Sequence, residues 1–275
     1  MADFDRNKPS IARVYDYILG GKDNFAADRE VADQLIAIAP GVGAMVRENR
    51  ELLARAVSWA AEQGISQFID LGCGLPTEPS TQQSAQSVLP GARVACIDND
   101  PVVISHLTAT LYQDETALVV DADVNDPEAV LGEVAALIDL SQPVCLLMGA
   151  LLHFYEPDAA RDLVARYAAA LAPGSYVVIS VCTAAPGPDA DRLVKIYSSG
   201  PHSVRINSLE DVASFFGDLE LLPPGVADAR TWRPGWGDGP GSRAARSLDL
   251  RRHRAQGQLT STQSRVRCTA FFQPA

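Results

Sequence analysis

The sequence lacks a long apolar run. No stretch approaches the roughly 18 apolar residues that a membrane-spanning helix needs, and the charged first eight residues are not followed by the apolar core of a signal peptide. We therefore expect neither an integral membrane protein nor a secreted one, and the two absences predict a cytoplasmic location.

Cysteine and histidine are few and scattered. The five cysteines contain no C-x-x-C pair, and the four histidines show no spacing typical of metal ligands. We therefore predict no metal site and interpret the cysteines as small buried side chains in a reducing compartment. They stand at Cys73, Cys96, Cys145, Cys182 and Cys268.

Basic residues are outnumbered, because 23 Lys and Arg stand against 34 Asp and Glu and give a net charge of −11. Proteins that bind nucleic acids usually present a basic face to the phosphates. A nucleic-acid partner is thus disfavoured, and a small-molecule or protein substrate is the better expectation.

The pattern of apolar residues divides the chain into three segments. Residues 1–63 show helical periodicity alone and predict an N-terminal cap with helices at 10–19, 28–39 and 42–63. Residues 64–234 alternate strands with helices. Residues 235–275 form a tail rich in glycine, proline and arginine.

The middle segment predicts a doubly wound parallel sheet of the Rossmann-like α/β class. Its strands are nearly continuous apolar runs, as expected where helices cover both faces of a sheet. Strands are predicted at 66–70, 93–97, 117–121, 143–148 and 175–182, and helices at 77–88, 101–111, 127–138 and 156–171. Ligands of such sheets bind beyond the carboxyl ends of the strands.

A glycine turn follows the first predicted strand. In Asp70-x-Gly72-Cys73-Gly74 the glycines let the backbone turn tightly and approach a ligand closely, because they carry no Cβ. Thr77 stands where a dinucleotide motif has its third glycine. Asp70 adds a negative charge that would repel a diphosphate and suits an ammonium or sulfonium group. The turn favours S-adenosylmethionine, and a nicotinamide-dependent oxidoreductase is the less favoured alternative.

Acidic residues also end the second and third predicted strands. Asp98 lies 24 residues beyond Gly74, at about the spacing where a carboxylate accepts hydrogen bonds from ribose hydroxyls. Asp123 is predicted near an adenine edge, and the adjoining Asn99 and Val124 are assigned to the same pocket. Aspartate is common at strand ends and helix starts, but three acidic strand ends in sequence favour a pocket.

The cap supplies further candidate contacts. Tyr15 is predicted to contact the cofactor, because an aromatic face suits a sulfonium cation, whereas Tyr17 is assigned to helix packing. The loop at 20–25 is polar and glycine-rich, and we expect it to close over the pocket with Gly21 and Asn24 as contacts. Its alternative role is a helix C-cap and linker.

These motifs together resemble the class I S-adenosylmethionine-dependent methyltransferases. Residues 13–29, R-V-Y-D-Y-I-L-G-G-K-D-N-F-A-A-D-R, are similar to the signature of an actinobacterial S-adenosyl methyltransferase family that was formerly classed as a domain of unknown function. Residues 70–77, 98–101 and 171–176 are similar to its later motifs. The resemblance implies the class I fold, a helical cap and binding of S-adenosylmethionine, but no particular acceptor. We therefore predict a methyltransferase acting on a small molecule, with a non-catalytic S-adenosylmethionine-binding regulator as the alternative.

Methyl transfer from a sulfonium depends mainly on alignment of the reacting atoms. A general base adds roughly 10²–10⁴-fold and is needed only when the nucleophile must lose a proton. The loop that begins at Gly149 resembles the one bordering the methyl group in class I enzymes, so Gly149 is assigned to the cofactor and His153 is the candidate base. A capping or packing role is the alternative for His153. Arg47 and Arg50 are candidates for the cofactor carboxylate, with ordinary surface exposure as the alternative.

Two stretches depart from the family pattern. Residues 80–82, Ser-Thr-Gln, stand where the family often has Asn-x-His, so no role of that histidine is carried over. The tail carries five arginines against one aspartate in residues 243–254. This composition predicts a solvated tail, and a site for an anionic partner is the alternative. A frame change in the gene is a hypothesis for the origin of the tail. Residues 266–272 are predicted as a final strand.

Overall fold

A computed structural model of the chain describes residues 5–183, 194–195 and 204–232, and the backbone of residues 267–274. Helices α1 to α3 precede the first strand, and the later helices alternate with strands. Their bounds are Ile11–Leu19 (α1), Ala26–Ile38 (α2), Val42–Glu62 (α3), Thr81–Gln86 (α4), Pro101–Thr110 (α5), Pro127–Val134 (α6), Pro157–Ala169 (α7) and Leu209–Ser214 (α8). Within these described helices there is no apolar segment of membrane-crossing length.

In the part of the chain that the structure describes, seven strands form one sheet in the order β3-β2-β1-β4-β5-β7-β6. The strands are Gln67–Leu71 (β1), Arg93–Asp98 (β2), Ala117–Asp121 (β3), Cys145–Gly149 (β4), Tyr176–Thr183 (β5), Glu220–Asp228 (β6) and Arg267–Pro274 (β7). All six strand pairings are parallel. The predicted parallel α/β sheet is confirmed, and its carboxyl ends lie along one edge.

Two hydrophobic clusters cover the two faces of the sheet, because successive strand side chains point to opposite sides. Ile69 and Leu71 of β1 pack on one face with the side chains of α6, α7 and α8. Phe68 packs on the other face with α3 and α5. Trp59 of α3 lies 5.0 Å from Tyr176 of β5, ring centre to ring centre, in an edge-on contact. The domain boundary at residue 63 remains a prediction, and α3 contributes to the core of the sheet.

Helices α1 and α2 pack against the start of α3 in a third cluster that includes Val14, Ile18, Leu35 and Val46. The N-terminal helices therefore lie where the sequence predicted them, within two residues at each end.

Helix α4 begins at Thr81, so the prediction that it begins at residue 77 is wrong. Ser80 caps it: Gln83 N donates to Ser80 Oγ (3.1 Å), and Ser80 N donates to the Gln83 side chain (2.7 Å). Pro79 also disfavours a helical conformation at the residue before it. The consequence is a long loop over residues 72–80 at the carboxyl end of β1. Helix α6 ends at Val134, four residues before its predicted end.

Two elements near the C-terminal end of the chain, the helix α8 and the strand β6, were not predicted from the sequence. Helix α8 starts with a capping box between Ser208 and Asp211. Strand β6 contains Pro223, Pro224 and Gly225, residues that normally argue against a strand, and its pairing with β7 shifts register between Leu221 and Val226. Strand β7 matches the strand predicted at 266–272 to within two residues at each end, whereas residues 235–266 of the predicted tail lie outside the described residues.

Candidate functional site

A cavity of about 660 Å³ opens at the carboxyl ends of β1 to β4, beneath α1. A second cavity, of about 440 Å³, lies at the opposite edge of the sheet beside Ser66, Arg93 and Tyr176. Open α/β sheets bind ligands beyond the carboxyl ends of their strands, so the larger cavity is the candidate site. Its walls come from the loops after β1, β2, β3 and β4, from α1 and α3, and from residues 5–10.

Most of the sequence-predicted residues meet in this cavity. Those that line it are Tyr15, Asp70, Gly72, Cys73, Gly74, Asp98, Asn99, Asp123, Val124 and Gly149. Gly21, Asn24 and His153 are not part of its lining. Arg50 reaches the cavity and Arg47 does not.

The glycine turn is held on the end of β2. Gly72 N and Cys73 N both donate to Ile97 O, at 2.8 and 3.1 Å. Gly72 and Gly74 have φ values of 65° and 69°, a conformation that glycine adopts without steric cost. Apart from Gly74 and its chain neighbours, no atom of the described residues lies within 4 Å of the place that a Cβ on Gly74 would take, so open space adjoins the turn.

Asp98 joins this turn to the loop after β2. Its Oδ2 accepts from Gly74 N, and its Oδ1 accepts from Asn99 N and Asp100 N, each at 2.9 Å. A carboxylate offers about four acceptor positions, so one position on Asp98 remains for a ligand hydroxyl. The side chain is 9% exposed, and burial raises its pKa against the opposing effect of the backbone hydrogen bonds.

Asp70 lies buried at the end of β1 with one oxygen held by Thr81, whose Oγ1 donates to Asp70 Oδ2 at 2.6 Å. Burial raises the pKa of Asp70, and the hydrogen bond from Thr81 and the positive charge of Arg50 oppose that rise. Thr81 stands in the stretch where the sequence departs from the family pattern. Its role as the partner of Asp70 was not predicted.

The loop after β3 places Asp123 and Val124 on the cavity wall. Asp123 Oδ1 accepts from the backbone and side-chain nitrogens of Asn125, at 2.9 and 2.8 Å. Val124 O accepts from the hydroxyl of Tyr167 at 2.9 Å, which ties this loop to α7. The cavity side of Asp123 therefore offers an acceptor oxygen on an anchored loop.

The end of β4 is tightly constrained. A Cβ on Gly149 would lie 2.6 Å from Leu53 Cδ1, so a larger residue at this point would require the Leu53 side chain of α3 to move. Ala150 has a φ of 52°, which is uncommon for a residue other than glycine, and its N–H donates to Ser180 O at 2.9 Å. This backbone turns the following Leu151 towards the glycine turn, where its Cδ1 would be 3.2 Å from a Cβ on Gly72.

His153 lies beside the cavity in the short 3₁₀ helix Leu152–Phe154. Its side chain is 8% exposed, and its Nδ1 has no hydrogen-bond partner among the described residues. Burial lowers the pKa of His153 to about 4, far below the value near 7 that suits a general base. Its neighbour Phe154 faces the cavity instead, so the assignment of His153 as base stays a prediction that the geometry does not favour.

The two tyrosines of α1 have different surroundings. The hydroxyl of Tyr15 donates to Val46 O (2.9 Å) and accepts from Asn49 Nδ2 (3.0 Å), while its ring borders the cavity. Tyr17 packs against the cap cluster and donates to Asp33 Oδ1 at 3.2 Å. Tyr17 thus takes part in the packing of the cap, while a contact of Tyr15 with a cofactor stays a prediction.

The loop at residues 20–25 folds around Asp16. Asp16 Oδ2 accepts from Asp23 N and from Asn24 Nδ2, both at 2.9 Å. A Cβ on Gly21 would lie 1.9 Å from Asp16 Oδ1. Gly21 and Asn24 thus serve this turn, and a direct contact of either with a cofactor stays a prediction.

Arg13 is the main residue near the cavity that the sequence analysis did not single out. It is 3% exposed and contacts Asp28 Oδ2 (3.0 Å) through Nε, Asp100 Oδ2 (3.4 Å) through Nη1 and Lys8 O (2.7 Å) through Nη2. Ser10 Oγ also donates to Asp100 Oδ2. Arg13 therefore ties the segment before α1 to the loop after β2, and a charged residue within the apolar face of α1 was the available signal.

The residues that the structure describes include no group of three or more histidine, cysteine, aspartate or glutamate side chains that could hold a metal ion. The described cysteines, Cys73, Cys96, Cys145 and Cys182, form no disulfide bond. Burial raises the pKa of the Cys182 thiol to about 11.

Comparison with known proteins gives a consistent result. Residues 1–254 match a family model described as S-adenosyl methyltransferase. A "putative methyltransferase" from Thermobifida fusca YX is 43% identical, with a TM-score of 0.80 over 86% of this chain and 89% of that chain. A DUF574 family protein from Streptomyces avermitilis MA-4680 is 36% identical, with a TM-score of 0.80 over 84% and 90%. The comparison with curated proteins finds no match.

Proposed function

The chain belongs to the S-adenosyl methyltransferase family, and from this we propose that it transfers the methyl group of S-adenosylmethionine to a small-molecule acceptor in the cavity at the carboxyl ends of β1 to β4. The single observation that carries the proposal is Asp98, which fixes the glycine turn through Gly74 N and keeps one acceptor position for a ribose hydroxyl.

The residues present fit the cofactor. The cavity of about 660 Å³ lies within the roughly 300–1,000 Å³ typical of small-molecule sites. The open space beside Gly74 allows a ligand to approach the backbone closely. The acidic side chains of Asp98 and Asp123 would accept from the ribose and adenine, and Asp70 would face the ammonium group.

S-adenosylmethionine, when bound, supplies a methyl group on a positively charged sulfur. The ring of Tyr15 offers a π face to that charge, and Asp70 adds a negative charge nearby. Leu19, Leu151 and Phe154 add apolar lining to the cavity and would exclude water from the reacting atoms. Alignment of the acceptor by these walls would supply most of the rate enhancement.

The alternatives drawn from the sequence gain no support. A dinucleotide would place its pyrophosphate on the N-terminus of the helix after the glycine turn, but the side chain of Ser80 already occupies a backbone donor of α4. Asp70 would also repel that group. Neither relative is described as an oxidoreductase or as a regulator.

The test is calorimetric titration with S-adenosylmethionine and S-adenosylhomocysteine on the wild type and on Asp98→Ala. The substitution removes an acceptor for the ligand and three acceptor contacts of the two loops. Each such charged hydrogen bond contributes about 1.5–3 kcal/mol, so affinity should fall at least about 10-fold. Asp162→Asn, on the exposed face of α7, is the control and should bind like the wild type.

Transfer itself is tested with S-adenosylmethionine carrying a labelled methyl group. The label should pass to a component of the low-molecular-weight fraction of an actinobacterial extract, and not to its proteins or nucleic acids. A folded wild type that binds neither ligand would refute the cofactor assignment. Binding without transfer to any fraction would favour the regulator.

A further inference from the structure

Arg50 of α3 is bound to the glycine-turn loop through one of its guanidinium nitrogens. Its Nη2 donates to Leu75 O at 3.0 Å and to Thr77 Oγ1 at 2.7 Å. The guanidinium carbon lies 5.8 Å from the ring centre of Tyr15. These contacts hold the group at the cavity wall between α1 and the end of β1.

The remaining donors of Arg50 have no hydrogen-bond partner among the described residues. A guanidinium has five N–H donors, but Nε is buried without a hydrogen-bond partner, and none is found for Nη1 among the described residues. In the same part of the chain no carboxylate lies within ion-pair distance of Arg50. A buried donor that stays unpaired costs about 1–3 kcal/mol, and more when it is charged, so this arrangement is suited to receive an anion.

The charges around Arg50 limit what that anion can be. Asp70 is close enough for the two charges to interact, and Asp98 and Asp123 also face the cavity. A diphosphate would meet repulsion from these three carboxylates. A zwitterion fits better, because its carboxylate would face Arg50 while its ammonium group faces Asp70.

We propose that Arg50 binds the α-carboxylate of the methionine portion of S-adenosylmethionine, an inference that rests on the proposed function. Arg50 is then a specificity residue that selects cofactors with a free amino-acid end. It also fixes the direction of the ligand, with the amino-acid end at α3 and the adenosine at Asp98 and Asp123. Arg47, one turn earlier on the same helix, lies outside the cavity and takes no part.

The competing role for Arg50 is a structural strap that holds Leu75 and Thr77 and touches no ligand. The test compares S-adenosylhomocysteine with its decarboxylated analogue, the thioether that ends in a propylamine chain. The two ligands differ only in the carboxylate. Calorimetry on the wild type, Arg50→Gln, Arg50→Lys and the control Arg47→Gln gives the ratio of the two affinities for each protein.

The wild type and Arg47→Gln should prefer S-adenosylhomocysteine by about 10- to 100-fold, the range for a hydrogen bond between charged groups. Arg50→Gln should bind the two ligands equally, and Arg50→Lys should recover part of the preference. A wild type that binds both ligands equally overturns the inference and leaves the proposed function intact. Equal weakening of both ligands in Arg50→Gln also overturns it, because a strap would act in that way. A wild type that binds neither ligand refutes the proposed function and the inference with it.

Discussion

Removal of the positive charge of Arg13 should strongly destabilise the protein. Arg13 and Asp28 are 3% and 0% exposed, and their ion pair measures 3.0 Å. Breaking such a buried pair from one side costs about 3–5 kcal/mol, because it leaves an unpaired buried charge. Asp28 keeps two backbone donors, Ser10 N at 2.8 Å and Phe25 N at 2.7 Å. We therefore expect Arg13→Met to lose about 3 kcal/mol, near the lower limit.

Urea unfolding followed by circular dichroism would measure this loss, which should lower Tm by about 5 °C in a chain of 275 residues. Asp28→Asn in the Arg13→Met background removes the unpaired charge and should recover part of the stability. Because Ser10 and Arg13 also hold Asp100, the Arg13→Met variant should bind S-adenosylhomocysteine more weakly as well. A loss below about 1 kcal/mol, the range of an exposed pair, would refute the reasoning, as would a double variant less stable than the single one.

Three further substitutions test the walls of the cavity. A Cβ on Gly149 would lie 2.6 Å from Leu53 Cδ1, so Gly149→Ala should cost about 1–3 kcal/mol by overpacking. In thermal melts the same substitution should cost less in a Leu53→Ala background than in the wild type, and an equal cost in both backgrounds would contradict the proposed contact. Burial raises the pKa of Asp70, so its ionisation destabilises the fold as pH rises, and Asp70→Asn should raise the free energy of unfolding at pH 7. Calorimetry should show weaker S-adenosylmethionine binding by the same variant, and unchanged binding would contradict the role assigned to Asp70. Burial lowers the pKa of His153 from 6.5 to about 4. As pH falls from 6.5 to 4, the free energy of unfolding of the wild type should therefore fall by about 3 kcal/mol more than that of His153→Leu. Urea unfolding at each pH measures this difference, and parallel pH profiles of the two proteins would show that His153 is not buried as described.

The regular part of the fold was predictable because its signals are local. Apolar runs with helical or strand periodicity gave the first five strands and the first three helices within two residues at each end. Periodicity could not locate the start of α4, because the helical pattern begins at about residue 77, whereas the cap at Ser80 makes the helix begin at Thr81. Strand β6 was missed because it contains Pro223 and Pro224. Proline has no N–H group to donate to a neighbouring strand and is therefore found mainly in edge strands and at bulges.

The site residues were predictable where they follow the ends of strands. Gly72, Gly74 and Asp98 follow strand ends, and the parallel sheet brings strand ends together whatever the rest of the chain does. Arg13 and Thr81 were missed because their partners, Asp28, Asp100 and Asp70, are brought near only by the packing of α1 and the position of α4. The resemblance to an actinobacterial S-adenosyl methyltransferase family is confirmed by the family match and by both relatives.

The place of β7 between β5 and β6 imposes an order on folding during synthesis. Among the described strands, β6 pairs with β7 alone, and β7 leaves the ribosome later. Until then β6 is an unpaired strand, and unpaired strands can join other nascent chains. Pro223 and Pro224 carry no N–H group to donate to a foreign strand. The two prolines that kept β6 from being predicted would therefore reduce its pairing with other nascent chains until β7 has been synthesised.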